Sequence, residues 1–237
     1  MNILKIYKDK IEEIKSNTSA LSIILVGSAV NTRDEDFDKL KDIDMFIITN
    51  DNSFQREVVN IDNIEFDISY MPKNLLKIGI EEKWPFLINA LSKYKIIYNK
   101  IDDMELLLEK ISYIYKKGPD SMDRQEVDYI RFNLFQKFED MMVRREDEVN
   151  FQFLVHSLLN DILIAYLKIN NIWIPKDKKI LAVIKKNDND LYNMCKNFIL
   201  EYKQDRKIIL LDKILSYVLM PVGGRLKYWE KGNFPLK

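Results

Sequence analysis

The chain has 237 residues, 47% of them apolar, and its 37 Lys and Arg balance 37 Asp and Glu, with 14 basic and 16 acidic residues up to Lys100. This size suits one large domain or two small ones, and a neutral balance in both halves disfavours a nucleic-acid partner, whose phosphate backbone needs a basic footprint. The single cysteine, Cys195, excludes an internal disulfide and, without a signal-peptide pattern, points to a reducing cytoplasm, while apolar runs well short of about 20 residues predict no membrane partner.

Ile3 to Ser16 reads as an amphipathic helix, with Leu4, Ile6, Ile11 and Ile14 recurring among lysines and glutamates. Leu21 to Gly27 is a buried strand that ends at a glycine. A polar loop rich in aspartate follows from Asn31 to Lys41, then a second strand from Ile43 to Thr49. Glu57–Ile61 and Ile64–Met71 form two arms of a hairpin around Asp62-Asn63. Lys73 to Leu91 is helical with a break at Pro85, and Lys95 to Tyr98 is a last short strand.

Beyond Asn99 the pattern turns helical: Met104–Lys117, Arg124–Asp147, Phe151–Asn170, Lys179–Lys186, Leu191–Tyr202 and Lys207–Leu219. The expected fold class is therefore α+β, a small mixed-sheet domain over residues 1–101 followed by an α-helical bundle over residues 102–237.

Chemistry is concentrated near the first two strands. Gly27 and Ser28 follow a buried strand, where a glycine lets the backbone approach a ligand and a serine hydroxyl can bond phosphate. Asp42 and Asp44 lie two apart on the next strand, so alternation sends both to one face. Asp67 lies inside the apolar strand Ile64–Ser69, on the face shared by Glu65 and Ser69. If that strand pairs beside Ile43–Thr49, three carboxylates converge, and three hard oxygen donors beside a phosphate cradle suit magnesium, in one or two ions. Asp34, Asp36 and Asp38 read as a solvated loop. An EF-hand is excluded there because Lys39 and Met45 stand where glycine and a bidentate glutamate are required.

A strand, Gly27-Ser28, the intervening residues Ala29 to Lys41, the Asp42-Ile43-Asp44 pair on a strand, and a third aspartate on a later strand together resemble the nucleotidyltransferase signature of the DNA polymerase β superfamily. The flanking apolar residues Val26 and Met45 to Ile48 agree with it, and the resemblance covers about the first hundred residues. It implies that Asp42 and Asp44 bind the metals, that Asp67 completes the site and assists removal of the acceptor's proton, and that Gly27 and Ser28 hold the triphosphate. An acceptor hydroxyl would then attack the α-phosphorus of a nucleoside triphosphate and release pyrophosphate.

The helical half is similar to that of the antibiotic, especially aminoglycoside, adenylyltransferases. Ile174-Pro175-Lys176-Asp177 resembles an element carrying a phosphate-binding lysine; Lys178 and Lys179 compete for that role, and a Trp173-x-Pro175 reading favours Lys179. Tyr202 stands where a tyrosine contacts the nucleotide in that family. The resemblance implies ATP as co-substrate, Mg2+ as cofactor, a small-molecule hydroxyl acceptor, and a site in the cleft between the two domains. Nucleotidylation of a protein or RNA, and a non-catalytic nucleotide-binding module, are the alternatives. His156, Cys195, Trp84, Trp173 and Trp229 read as packing or surface residues, and Glu139 and Asp140 as salt-bridge partners on a helix, although in some relatives the helical domain supplies a carboxylate that activates the acceptor.

Overall fold

The computed structural model describes residues 3–230. The chain divides into two compact units, Met1–Lys117 and Gly118–Lys237.

The first unit begins with helix α1 (Ile3–Ser16), which ends where Asn17 and Thr18 turn the chain into strand β1 (Ala20–Val26). Strands β2 (Asp42–Thr49), β3 (Gln55–Ile61), β4 (Ile64–Pro72) and β5 (Lys95–Asn99) join β1 in one sheet of order β3-β4-β2-β1-β5. The β3–β4 hairpin turns on Asp62 and Asn63, both at positive φ (52° and 67°), the left-handed pair that a two-residue turn demands. β2 and β4 run parallel, whereas β1 is antiparallel to both β2 and β5.

Both faces of the sheet are covered. On one, Ile23, Leu25, Ile43, Met45, Ile47, Phe66 and Ile68 pack with Tyr7, Ile11 and Ile14 of α1 and with Phe37. Phe37 belongs to a 3-10 turn, Asp34–Lys39, within the segment expected to be an irregular polar loop. Its ring is buried against Tyr7, while Asp36 pairs with Lys39 and Asp38 accepts from the Ile3 amide. The opposite face carries Ile24, Phe46, Ile48 and Met71, all buried. Helix α2 (Lys73–Glu81) packs on β2 and β4 and meets α3 (Pro85–Leu91) and α4 (Met104–Lys117). Lys73 and Lys77 of α2 both pair with Asp103, just before α4. The helix α4 therefore belongs to the compact unit of the sheet, and the units separate between Lys117 and Gly118, sixteen residues beyond the boundary expected from the change in pattern.

The second unit is built from α5 (Arg124–Val143), α6 (Glu148–Ile169), α7 (Ile180–Asn187), α8 (Asn189–Leu200) and α9 (Gln204–Leu219). Asp123 and Glu126 cap α5 reciprocally. Asp147, expected at the end of α5, instead caps α6 by accepting from the Asn150 amide. Among the described residues α6 is long and apolar enough to cross a membrane, a length the short apolar runs had not suggested. It is also the axis of the bundle core, burying Phe151, Val155, Leu158, Ile162 and Leu163 among residues of α5, α7, α8 and α9. Cys195 lies in that core, where burial pushes its thiol up to about 12. Trp173 is buried, Trp229 packs against Tyr129 and Phe132, and Trp84 stacks on Phe86 in the first unit.

Candidate active site

Where β1 ends and β2 begins, the sheet brings the polar residues of the first unit together. Val26 pairs with Asp44 across β1 and β2, so Gly27 comes out of the sheet directly beside that carboxylate. Gly27 has φ of +70°, a conformation that costs other residues strain. A Cβ at this position would collide with Oδ2 of Asp44. Two independent constraints therefore demand glycine here: the backbone turn, and the close approach to an acid. Ser28 is the next residue of a short 3-10 turn, Gly27–Asn31, and is exposed.

On the other side of β2, the parallel ladder sets Asp42 opposite Glu65 and Asp44 opposite Asp67. Neighbouring strands lie about 4.8 Å apart, so Asp44 and Asp67 stand side by side, with Asp42 one step along the same face. The pairing anticipated between these strands is the one observed, and Asp67 shares the face of Asp42 and Asp44. All three are partly accessible, and two lie between fully buried neighbours that fix their strands: Ile43 and Met45 around Asp44, Phe66 and Ile68 around Asp67. Further along this face Phe46, Ile48 and Met71 are buried on the side where α2 packs, so the acids occupy its open end.

Arg56 is the component that sequence reasoning missed. From the edge strand β3 it donates from Nε to Oδ1 of Asp67 and from Nη2 to Oδ2, each at 2.7 Å. Its pKa is raised, above all by Asp67, with smaller contributions from the charges of Asp44 and Glu65. Both oxygens of Asp67 are thus engaged. Among the described residues, no three His, Cys, Asp or Glu side chains stand as a group able to hold a metal ion. The donor set is of the hard-oxygen type that magnesium takes, on one face and beside a glycine whose missing side chain lets the Asp44 carboxylate come close to the backbone.

The remaining predicted site residues lie in the second unit. Lys176 and Lys179 are exposed at either end of a short turn in which the Lys179 amide donates to the Lys176 carbonyl. Tyr202, 82% exposed, lines a shallow recess with Leu200, Glu201, Arg206 and Ile209, and neither lysine lines it. Glu201 shapes this bend by accepting from the amides of Tyr202 and Lys203, which holds its carboxyl below the usual range. His156 is exposed, bonded through Nδ1 to the Gln152 carbonyl and set edge-on to Phe198. Glu139 and Asp140 are exposed, and Asp140 pairs with Arg144 one turn on.

No protein-family model matches this chain, and no curated protein matches it. Among solved structures it is similar to a nucleotidyltransferase-like protein from Exiguobacterium sibiricum 255-15, at 14% identity and a TM-score of 0.50, over 92% of this chain and 74% of that one. The chain therefore shares the α+β fold of a nucleotidyltransferase-like protein.

Proposed function

We propose that the protein is a magnesium-dependent nucleotidyltransferase that moves a nucleoside monophosphate, AMP first among them, to a hydroxyl of a small molecule. The observation that carries this reading is the placement of Gly27, Asp44 and Asp67, where a glycine required by geometry borders Asp44 and Asp44 is paired in register with Asp67.

Gly27 and Ser28 would hold the triphosphate, the glycine by a left-handed turn that carries the backbone past the acids and the serine by donating its hydroxyl. Asp42, Asp44 and Asp67 would hold Mg2+, which when bound supplies charge neutralisation at the phosphates and a lower pKa for the acceptor hydroxyl. The acceptor oxygen forms the new bond to the α-phosphorus as the bond to the bridging α–β oxygen breaks. Pyrophosphate leaves, and the acceptor's proton passes towards Asp67. Most of the acceleration in such a transfer comes from positioning and charge. For Lys176 or Lys179, and for Tyr202, a nucleotide-binding role rests on the resemblance to the aminoglycoside adenylyltransferases alone.

One observation favours a second reading. The two-pronged grip of Arg56 on Asp67 would suit a nucleotide-binding module that performs no transfer. A single experiment separates the two: the protein is incubated with Mg2+, labelled ATP and a panel of hydroxyl-bearing acceptors, aminoglycosides included, and products are scored by mass. Transfer predicts an acceptor heavier by one AMP and stoichiometric pyrophosphate. Saturable ATP binding without any product across the panel would favour the non-catalytic module.

A further inference from the structure

We infer that Arg56 is a built-in counter-cation for the carboxylate cluster, holding Asp67 while no divalent ion is bound and giving it up when one binds. The inference rests on the nucleotidyl-transfer reading and concerns a residue that the reading leaves without a role.

The register creates the need for such a residue. Asp42 opposite Glu65 and Asp44 opposite Asp67 put four acids on the ends of two adjacent strands, and like charges placed opposite one another destabilise a sheet. A divalent ion would relieve this repulsion when present. In its absence a protein group must do so, and Arg56 stands in the field of Asp67, Asp44 and Glu65. It reaches them from the sheet edge: in the hairpin Arg56 pairs with Ser69 and Val58 with Asp67, so the guanidinium extends diagonally along the strands to Asp67.

The geometry also says which partner can move. Asp67 is short and 17% exposed, fixed between the buried Phe66 and Ile68, whereas Arg56 is long and 57% exposed. A half-exposed ion pair is weak because water competes with both partners. An arginine fork occupies both carboxylate oxygens at once, so release of Arg56 is what turns Asp67 from an ion-pair partner into a metal ligand. The exchange trades a single charge for a double one at the same carboxylate. Arg56 is thus a positioning residue, keeping the acids gathered in the absence of metal and competing with the ion they would bind.

The test is a titration of the full chain with Mn2+, following free ion by electron paramagnetic resonance, for the wild type and for Arg56→Gln, Asp67→Asn, the double variant and Asp44→Asn. Exchange predicts that Arg56→Gln binds Mn2+ roughly tenfold more tightly, the scale on which one nearby charge acts. In the Asp67→Asn background the same change should alter affinity by less than about twofold, because the contested ligand is gone. Arg56→Lys, which keeps the charge but loses the fork, should fall between wild type and Arg56→Gln, and it serves as the probe if the glutamine variant does not fold.

Equal or weaker Mn2+ binding by a folded Arg56→Gln would overturn the exchange while leaving the metal site itself standing. A tenfold gain that persists in the Asp67→Asn background would also overturn it, since Arg56 would then act only through its general field. Absence of Mn2+ binding in every variant, or full affinity in Asp44→Asn, would overturn both the exchange and the metal-site reading on which it rests.

Discussion

The two units handle polar residues in opposite ways. In the sheet unit, acids from two strands, an arginine from a third and a glycine from the end of a fourth are brought to one end of the sheet: Asp42 and Asp44, Asp67, Arg56 and Gly27. In the helical unit the polar contacts mostly finish or fasten helices. Asp147 and Asp188 cap α6 and α8, while Arg131 donates to the carbonyls of Gly223 and Gly224 and so ties the turn after α9 to α5. Sheet register turns positions far apart in sequence into neighbours at fixed spacing, which suits a reaction centre. Helix packing around α6 turns apolar periodicity into stability.

That contrast can be broken by substitutions that exchange the expected penalties. The largest effect is expected in the bundle. Phe151→Ala, at a fully buried side chain of α6, should cost about 3–5 kcal/mol of stability through lost burial and a cavity. Urea unfolding of the variant checks this, and a loss below about 1 kcal/mol would mean that α6 is not the axis of the core.

At Gly27 the penalty should be both local and functional. Gly27→Ala places a methyl group on Asp44 Oδ2 in a left-handed backbone, at a cost of roughly 1–3 kcal/mol, and should abolish detectable ATP binding. Calorimetry together with a thermal melt separates the two losses. Wild-type affinity in the variant would remove Gly27 from the nucleotide site. Ser28→Ala is milder. With an exposed side chain and no core contact, it should weaken ATP binding by about 0.5–1.5 kcal/mol, one hydrogen bond's worth, and leave the melting temperature unchanged.

The smallest effect concerns acid stability of the sheet unit. Lys77 first and Lys73 second hold the Asp103 carboxyl down to about 2. A carboxyl depressed in the folded state adds stability above its unfolded pKa and loses it as pH falls through the folded one. The ion pairs joining α2 to the start of α4 should therefore be at full strength above pH of about 4 and fade towards pH 2. Asp103→Asn should flatten that part of the stability curve, measured by denaturant titration at pH 5 and pH 2.5. Equal acid sensitivity in both proteins would show that the pair contributes nothing.

Much of the sheet unit was legible because its signals are local. The extent of α1 follows from apolar spacing, and the β3–β4 turn follows from Asp62-Asn63, the dipeptide that tolerates two positive φ values. Once β4 pairs beside β2, simple alternation puts Asp67 with Asp42 and Asp44. Arg56 was not legible, since its partner lies across a hairpin and diagonal to it. The signal was nonetheless present: from the turn, Ile61 pairs with Ile64, and counting back sets Arg56 opposite Ser69, two residues from Asp67. The switch to helical periodicity near Asn99 reports secondary structure, whereas packing sets α4 with α2 and α3 and so carries the compact unit on to Lys117. The end of α5 was missed for a different reason. Asp147 continues an acidic helical run in the sequence, yet its side chain bonds forward to Asn150. Lys176, Lys179 and Tyr202 were read from resemblance rather than from periodicity.

Calorimetric titration with ATP, with and without Mg2+, into the wild-type protein and into Asp44→Asn tests most directly whether the strand-end acids form a metal–nucleotide site. Asp44 borders Gly27 on one side and Asp67 on the other, so its neutralisation should remove the Mg2+-dependent part of ATP binding, a loss on the order of 10²-fold, without lowering the melting temperature. Mg2+-dependent ATP binding of undiminished affinity in a folded Asp44→Asn protein would contradict the assignment of the site.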